Sequence, residues 1–239
     1  MNVLILSGAG ISAESGIPTF RDADGLWEGH AVEEVATPQG FARNPDLVHE
    51  FYNQRRRALQ QPNIQPNAAH VALADFERDH LAKDRGRFLL VTQNIDNLHQ
   101  RAGSQNVLAM HGQLLQARCL YTETIFDWTD DLSVDTPHPE EPENDSMRGC
   151  LRPNVVWFGE MPIGLSRIEQ AAQAADLFIA IGTSGLVYPA AGIVAQTPPS
   201  CRRIEVNLDD TPASSAFDET IRGKAGDEVP QLLDHFKAM

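Results

Sequence analysis

The stretch Val3-Leu4-Ile5-Leu6-Ser7-Gly8-Ala9-Gly10-Ile11-Ser12-Ala13 decides the fold. A short apolar run reads as a strand, and it passes into Gly8 to Ala13, which match the G-x-G-x-x-G/A dinucleotide pattern. In that pattern Gly8 permits a tight turn, Gly10 lets the backbone approach a pyrophosphate, and Ala13 allows close helix–strand packing. The helix that follows aims its amino terminus at phosphate groups. Glycine turns after strands are common, so a plain turn is the competing reading of the same residues.

Four further runs have the same character: Phe88–Thr92, Val155–Phe158, Leu177–Ile181 and Ile204–Val206. Continuous apolar runs suit strands buried on both faces, and most are separated by segments long enough for a helix. The expected architecture is a Rossmann-like α/β fold, a parallel sheet with helices on both faces. Ligands of such sheets bind beyond the carboxyl ends of the strands. Those positions hold Gln93-Asn94-Ile95-Asp96, Gly159-Glu160, Gly182-Thr183-Ser184 and Asn207-Leu208-Asp209, residues suited to a nucleotide-binding rim.

One departure separates the chain from dehydrogenases. Where they carry a second strand ending in an acidic residue about 20 positions on, this chain has Gly16-Ile17-Pro18-Thr19-Phe20-Arg21-Asp22. That segment reads as a loop over the cofactor, which favours a use of the dinucleotide other than hydride transfer. Two stretches of the single domain, at about 24–66 and 115–152, read as insertions that build a small domain. The first holds a helix capped by Asn44 and begun by Pro45. The second is rich in Asp, Glu, Pro and Thr, and Thr129 to Arg148 is expected to be mobile loop.

With 19 basic against 33 acidic residues the formal charge is −14, which disfavours nucleic acid as a partner. An acidic surface suits lysine-rich protein substrates, or simply keeps the chain in solution. No apolar run approaches the length of about 18 residues that a membrane span needs. Met1 to Leu6 lacks a basic flank and reads as strand, not signal peptide. Cys119, Cys150 and Cys201 form no disulfide framework, so a reducing, cytoplasmic setting is expected; the chain is also expected to be a monomer.

Asn94 and Asp96, at the end of the Phe88–Thr92 run, suit contacts to a ribose or a carboxamide; equally, they suit a helix cap at a strand–helix joint. His111 follows the apolar Val107-Leu108-Ala109-Met110 and precedes Gly112. A lone His is commonly a satisfied core or surface group, but it also titrates near neutrality and can take a proton from a sugar hydroxyl. The helix begun at Pro45 places Leu47, Val48, Phe51, Tyr52, Arg55 and Leu59 near one face. Tyr52 and Arg55 are one turn apart, and an Arg beside an apolar stripe suits a carboxylate. Arg55-Arg56-Arg57 also reads as a solvated basic patch.

Together these motifs resemble the sirtuins, the NAD-dependent protein lysine deacylases. The resemblance runs through Gly8–Asp22, Thr92–Gly103, His111-Gly112, Leu151–Glu160 and Gly182–Ser184, nearly the whole chain. It implies a Rossmann-like domain with a small domain that often holds zinc. It also implies that NAD, the co-substrate, contacts Gly8, Ala9, Gly10, Ile11, Ser12 and Ala13. Phe20, Arg21 and Trp27 would cover it, and Gln93, Asn94, Ile95 and Asp96 would surround the nicotinamide and ribose. Gly182, Thr183, Ser184, Asn207, Leu208, Asp209 and Ala225 would line the adenosine half. By the same resemblance the acyl oxygen attacks C1′ of the ribose as nicotinamide leaves, with Asn94 and Asp96 assisting. His111 then deprotonates a ribose hydroxyl, which attacks the imidate carbon, and hydrolysis yields lysine and O-acyl-ADP-ribose. Val156, Trp157, Phe158 and Gly159 would pair with the substrate backbone as an added strand.

A Tyr-x-x-Arg pair resembles the sirtuin subgroup that also removes succinyl and malonyl groups, so Tyr52 and Arg55 are assigned to an acidic acyl chain. The two Cys-x-x-Cys pairs common in sirtuins are absent. Cys119 and Cys150, with His138 as a third donor between two prolines, leave zinc's fourth position unfilled, and no metal is expected. The competing functions are a protein ADP-ribosyltransferase and a non-catalytic NAD-sensing module.

Overall fold

The computed structural model describes residues 1–19, 26, 27 and 29–237. In chain order the strands are β1 (Val3–Ser7), β2 (Leu26–Trp27), β3 (His30–Ala31), β4 (Phe88–Thr92), β5 (Val107–Ala109), β6 (Gly112–Cys119), β7 (Ile125–Asp127), β8 (Leu151–Val155), β9 (Leu177–Ile181), β10 (Arg202–Asn207) and β11 (Glu219–Arg222). The helices are α1 (Ala9–Ala13), α2 (Val32–Val35), α3 (Pro38–Arg43), α4 (Pro45–Leu59), α5 (Ala68–Ala82), α6 (Leu98–Ala102), α7 (Leu165–Gln173) and α8 (Ala225–Lys237).

Six strands form a parallel sheet in the order β11-β10-β9-β1-β4-β5. The chain starts in the middle, grows outward through β4 and β5, then returns to β9 on the other side of β1. That is the doubly wound Rossmann order, and its ligand crevice lies where the direction of growth reverses, beyond the ends of β1 and β9. Strand alternation divides the core. Val3 and Ile5 face a cluster with Leu73 and Phe76 of α5 and Val229 and Leu233 of α8. Leu4 and Leu6 face the opposite layer, with Ile168 and Ala172 of α7. Both faces are covered, which is why the strands read as unbroken apolar runs.

The smaller part is an antiparallel sheet in the order β7-β6-β8. It packs on α4, whose Asn44 side chain caps the helix by accepting from the Leu47 N–H at 3.1 Å. Val48, Phe51, Tyr52 and Leu59 of α4 join Leu114, Val155 and Trp157 in a third apolar cluster.

Three expectations need correction. The run Val155–Phe158 is not a strand of the parallel sheet: β8 ends at Val155 and belongs to the antiparallel sheet, paired with β6. β8 is buried along its whole length, as β1, β4 and β9 are, so hydrophobicity alone did not tell it apart from them. Second, 129–148 is irregular and mostly exposed, but it is anchored at three buried side chains. Leu132, Thr136 and His138 are buried, and the Asn53 side chain exchanges two hydrogen bonds of 2.8 Å with the Leu132 backbone. Third, Ala13 does not pack helix to strand: α1 is five residues long and Ala13, its last, is exposed. The close packing is made by the glycines instead.

Candidate active site

Beyond β1 and β9 the backbones meet with no room for side chains. A Cβ on Gly8 would lie 2.7 Å from the Gly182 carbonyl oxygen, and one on Gly10 would lie 2.7 Å from the Gly182 Cα. Gly8 itself has an ordinary extended backbone, φ −123°, so close approach and not a special turn demands glycine there. Gly182, at φ +59°, adopts a conformation that side chains disfavour.

This crossing forms one wall of a cavity of about 680 Å³. Gly8, Ala9, Gly10 and Ser12 line it, as do Gln93, Asn94, Ile95 and Asp96 after β4, His111 after β5, and Gly182, Thr183 and Ser184 after β9. Gly16 to Thr19 lie along it, as the loop reading expects. Phe20 and Arg21 fall outside the described residues. Trp27, Tyr52, Arg55 and the segment Val156 to Gly159 complete the walls. Ile11, Ala13, Asn207, Leu208, Asp209 and Ala225 do not line it. Ile11 is fully buried in the core, and Ala225 opens α8 there. Asn207 acts one step removed, donating to the Thr183 carbonyl oxygen at 2.7 Å.

The polar groups are tightly organised. Asp96 accepts from the Ser12 hydroxyl at 2.9 Å and from the Leu98 N–H at 3.0 Å. Burial raises its pKa above the usual carboxylate value. Asp96 therefore braces the first turn of α6 from one residue before its cap, Asn97. Asn94 behaves differently: its Nδ2 donates to the Gly8 carbonyl at 3.1 Å and to Ser12 Oγ at 3.0 Å, bracing the glycine loop. The Gln93 amide donates to Thr183 Oγ1 at 2.9 Å, tying β4 to the loop after β9. His111 Nδ1 lies 2.9 Å from the Gln93 carbonyl oxygen. Burial lowers its pKa, a shift the Gln93 bond opposes.

The three arginines separate. The Arg55 guanidinium lies 3.2 Å over the Phe51 ring and lines the cavity. Arg56 is fully buried, donating to the Leu114 carbonyl and to Asn53. Arg57 pairs with Glu50 and Asp131 at the surface, so the solvated reading holds for it alone. In the segment Val156–Gly159 the first three N–H groups are engaged, by the His111 carbonyl, the Glu160 carboxylate and the Ala36 carbonyl. Sequence reading missed several apolar walls, among them Ile64, Leu114 and Val187. Leu114 had a signal, being two residues beyond Gly112 on the same face of β6; Ile64, after a proline-containing turn, had none.

Away from the cavity, the ligand atoms of Cys119, His138 and Cys150 lie within 4.8 Å of one another, all buried. The sulfurs are 3.4 Å apart, near the roughly 3.8 Å expected for two thiolates on tetrahedral zinc. Nε2 of His138 is buried without a hydrogen-bond partner among the described residues. These residues fit three of zinc's four positions, and His138 reaches the cysteines despite its flanking prolines.

The model of the Sir2 family matches residues 8–189. The chain belongs to the Sir2 family. This Sir2 protein is 86% identical, over the full length of both, to a protein of Rhodopirellula baltica named "NAD-dependent protein deacylase". It is 54% identical to a Bdellovibrio bacteriovorus protein of the same name, over 98% of this chain and 96% of the relative. Among solved structures, a Sir2 homolog–NAD complex shares 39% identity with a TM-score of 0.84, over 99% of this chain and 89% of that one. A complex described as "Sir2-p53 peptide-NAD+" shares 27% identity with a TM-score of 0.77, over 99% and 94%.

Proposed function

We propose that this Sir2 protein is an NAD-dependent protein lysine deacylase that removes acetyl groups and the acidic succinyl and malonyl groups. The observation that carries the reading is the position of His111: its Nδ1 is held by the Gln93 carbonyl while the ring lines a cavity between the glycine loop and the Tyr52–Arg55 pair. The name shared by the 86%-identical relative supports the NAD-dependent chemistry.

In this reading Gly8, Ala9 and Gly10 give the dinucleotide backbone close access, with Thr183 and Ser184 on the adenosine side. Asn94 and Asp96, linked through Ser12, fix the loop that orients the ribose. His111 takes a proton from a ribose hydroxyl, whose oxygen attacks the imidate carbon; water then hydrolyses that adduct, releasing free lysine and O-acyl-ADP-ribose. The walls exclude water until the acyl oxygen and C1′ are aligned. A substrate strand beside Val156–Gly159 would pair with carbonyls and the Gly159 N–H, since the three N–H groups before it are engaged. Arg55, poised on Phe51, would grip a carboxylate at the acyl tip. Cys119, His138 and Cys150 would hold a zinc ion that braces the small domain and takes no part in the reaction. No helix among the described residues is long and apolar enough to cross a membrane; a cytoplasmic monomer is proposed.

A competition among acetyl-, succinyl- and malonyl-lysine peptides with NAD tests the reading. Nicotinamide release and O-acyl-ADP-ribose are expected from all three. In Arg55→Met the succinyl-to-acetyl ratio of kcat/KM should fall by roughly 10- to 100-fold, the worth of a charge-assisted pair. ADP-ribose attached to protein instead would favour transferase activity.

A further inference from the structure

Behind the acyl end of the cavity, one phenol oxygen carries a single, well-fixed hydrogen bond. Trp157, 2% exposed, donates its indole N–H to the Tyr52 hydroxyl oxygen at 2.9 Å. Among the described residues that is the hydroxyl's only hydrogen bond, and Tyr52 lines the cavity. A phenol has one proton to give and two lone pairs to accept with. Because the indole can only donate, the tyrosine oxygen is the acceptor in that contact, and its own proton is left for a guest. Burial raises the Tyr52 pKa, so the proton stays on the oxygen.

The indole is held from several sides. The Arg152 guanidinium lies 3.4 Å over its ring. Arg152 grips Glu160 through two bonds of 2.7 and 2.9 Å, and Glu160 Oε2 accepts from the Trp157 backbone N–H at 2.8 Å. The Phe41 ring packs against it at 5.2 Å. A bidentate ion pair stacked on the ring fixes the direction of the indole N–H more firmly than packing alone.

We propose that Trp157 is a positioning residue for acyl selectivity: by donating to the Tyr52 oxygen it directs the Tyr52 O–H to the acyl end, favouring acyl chains that carry an acceptor there. The chemical class is a dicarboxylic acyl group, whose terminal carboxylate would accept from Tyr52 while pairing with Arg55. This rests on the deacylase reading above and adds a residue that acts through Tyr52.

The test uses the full chain, saturating NAD, and succinyl- and acetyl-lysine peptides of one sequence. Two replacements remove the N–H: Trp157→Phe, and incorporation of benzothienylalanine, which keeps the indole shape with sulfur in place of N–H. With either, the succinyl-to-acetyl ratio of kcat/KM should fall about tenfold, mainly through KM for the succinyl peptide, as loss of one directed hydrogen bond predicts. In a Tyr52→Phe background, the same replacements should move the ratio less than about twofold, because the coupled partner is gone. An unchanged ratio with benzothienylalanine, or an equal fall in the Tyr52→Phe background, overturns the proposal and leaves the deacylase reading standing. A wild-type enzyme that removes acetyl but not succinyl overturns the acyl reading and this proposal with it.

Discussion

His111 Nδ1 and the Gln93 carbonyl oxygen are 2.9 Å apart. A carbonyl only accepts, so the neutral ring carries its proton on Nδ1 and keeps Nε2 as the basic nitrogen. Burial holds the pKa below the ordinary 6.5, so His111 is unprotonated at neutral pH and ready to act as a base. Deacylation should therefore persist below pH 6.5 and fall only as protonation of His111 sets in at lower pH. A profile of kcat/KM between about pH 5 and 8 checks this; an acid limb centred above 6.5 would be inconsistent with it.

Gly10 and Gly182 leave no space for a methyl group. Gly10→Ala would place Cβ 2.7 Å from the Gly182 Cα and 2.9 Å from its carbonyl oxygen, both backbone atoms that cannot rotate away. The expected cost is about 1–3 kcal/mol of stability, with NAD binding weakened because the loops must part. Thermal unfolding and NAD titration measure both, and wild-type values for both would show that the loops are looser than described.

Buried histidines set the acid stability. Burial lowers His49 and His70 from 6.5 to about 4, Arg56 adding to the effect at His49, and His99 is also lowered by burial and by His70. Between pH 6.5 and 4 the unfolded chain binds these protons more readily than the folded one. Stability is thus complete above pH 6.5 and declines as pH falls through that window, by up to about 3 kcal/mol per buried imidazole. Denaturant unfolding at several pH values, compared with His70→Gln, should show the decline reduced in the variant. An equal decline in both would remove His70 from the explanation.

The cluster Cys119, His138 and Cys150 predicts a modest metal site. Three protein donors should bind added zinc, but more weakly than four, so extensive dialysis should leave the protein less than stoichiometric. Metal analysis before and after zinc addition, with the thermal shift, tests this. Cys119→Ser should abolish the shift, and a shift unchanged by that substitution would place zinc elsewhere.

The parallel sheet was legible because strands buried on both faces leave unbroken apolar runs, and Phe88–Thr92 and Leu177–Ile181 coincide with β4 and β9. Asn44 and Pro45 marked the start of α4 for the same local reason, a cap and a pre-set φ. The short β5 and β11 left too little pattern, and Val155–Phe158 misled because burial does not say which sheet a strand joins. At the site, motif residues near the chain's glycine loop were readable. The Trp157–Tyr52 bond was not, since it joins positions 105 residues apart through tertiary packing. The gathering of His138 with the cysteines likewise depends on packing of an irregular segment that has no periodicity.

The most direct test of the central claim separates the two halves of the reaction in His111→Ala. Nicotinamide exchange, which precedes the proton transfer assigned to His111, should continue in the presence of acyl peptide. Release of free lysine peptide and O-acyl-ADP-ribose should fall by about 10²- to 10⁴-fold, the usual worth of a general base. Exchange and deacylation lost to the same extent with NAD still bound, or deacylation at the wild-type rate, would contradict the role given to His111.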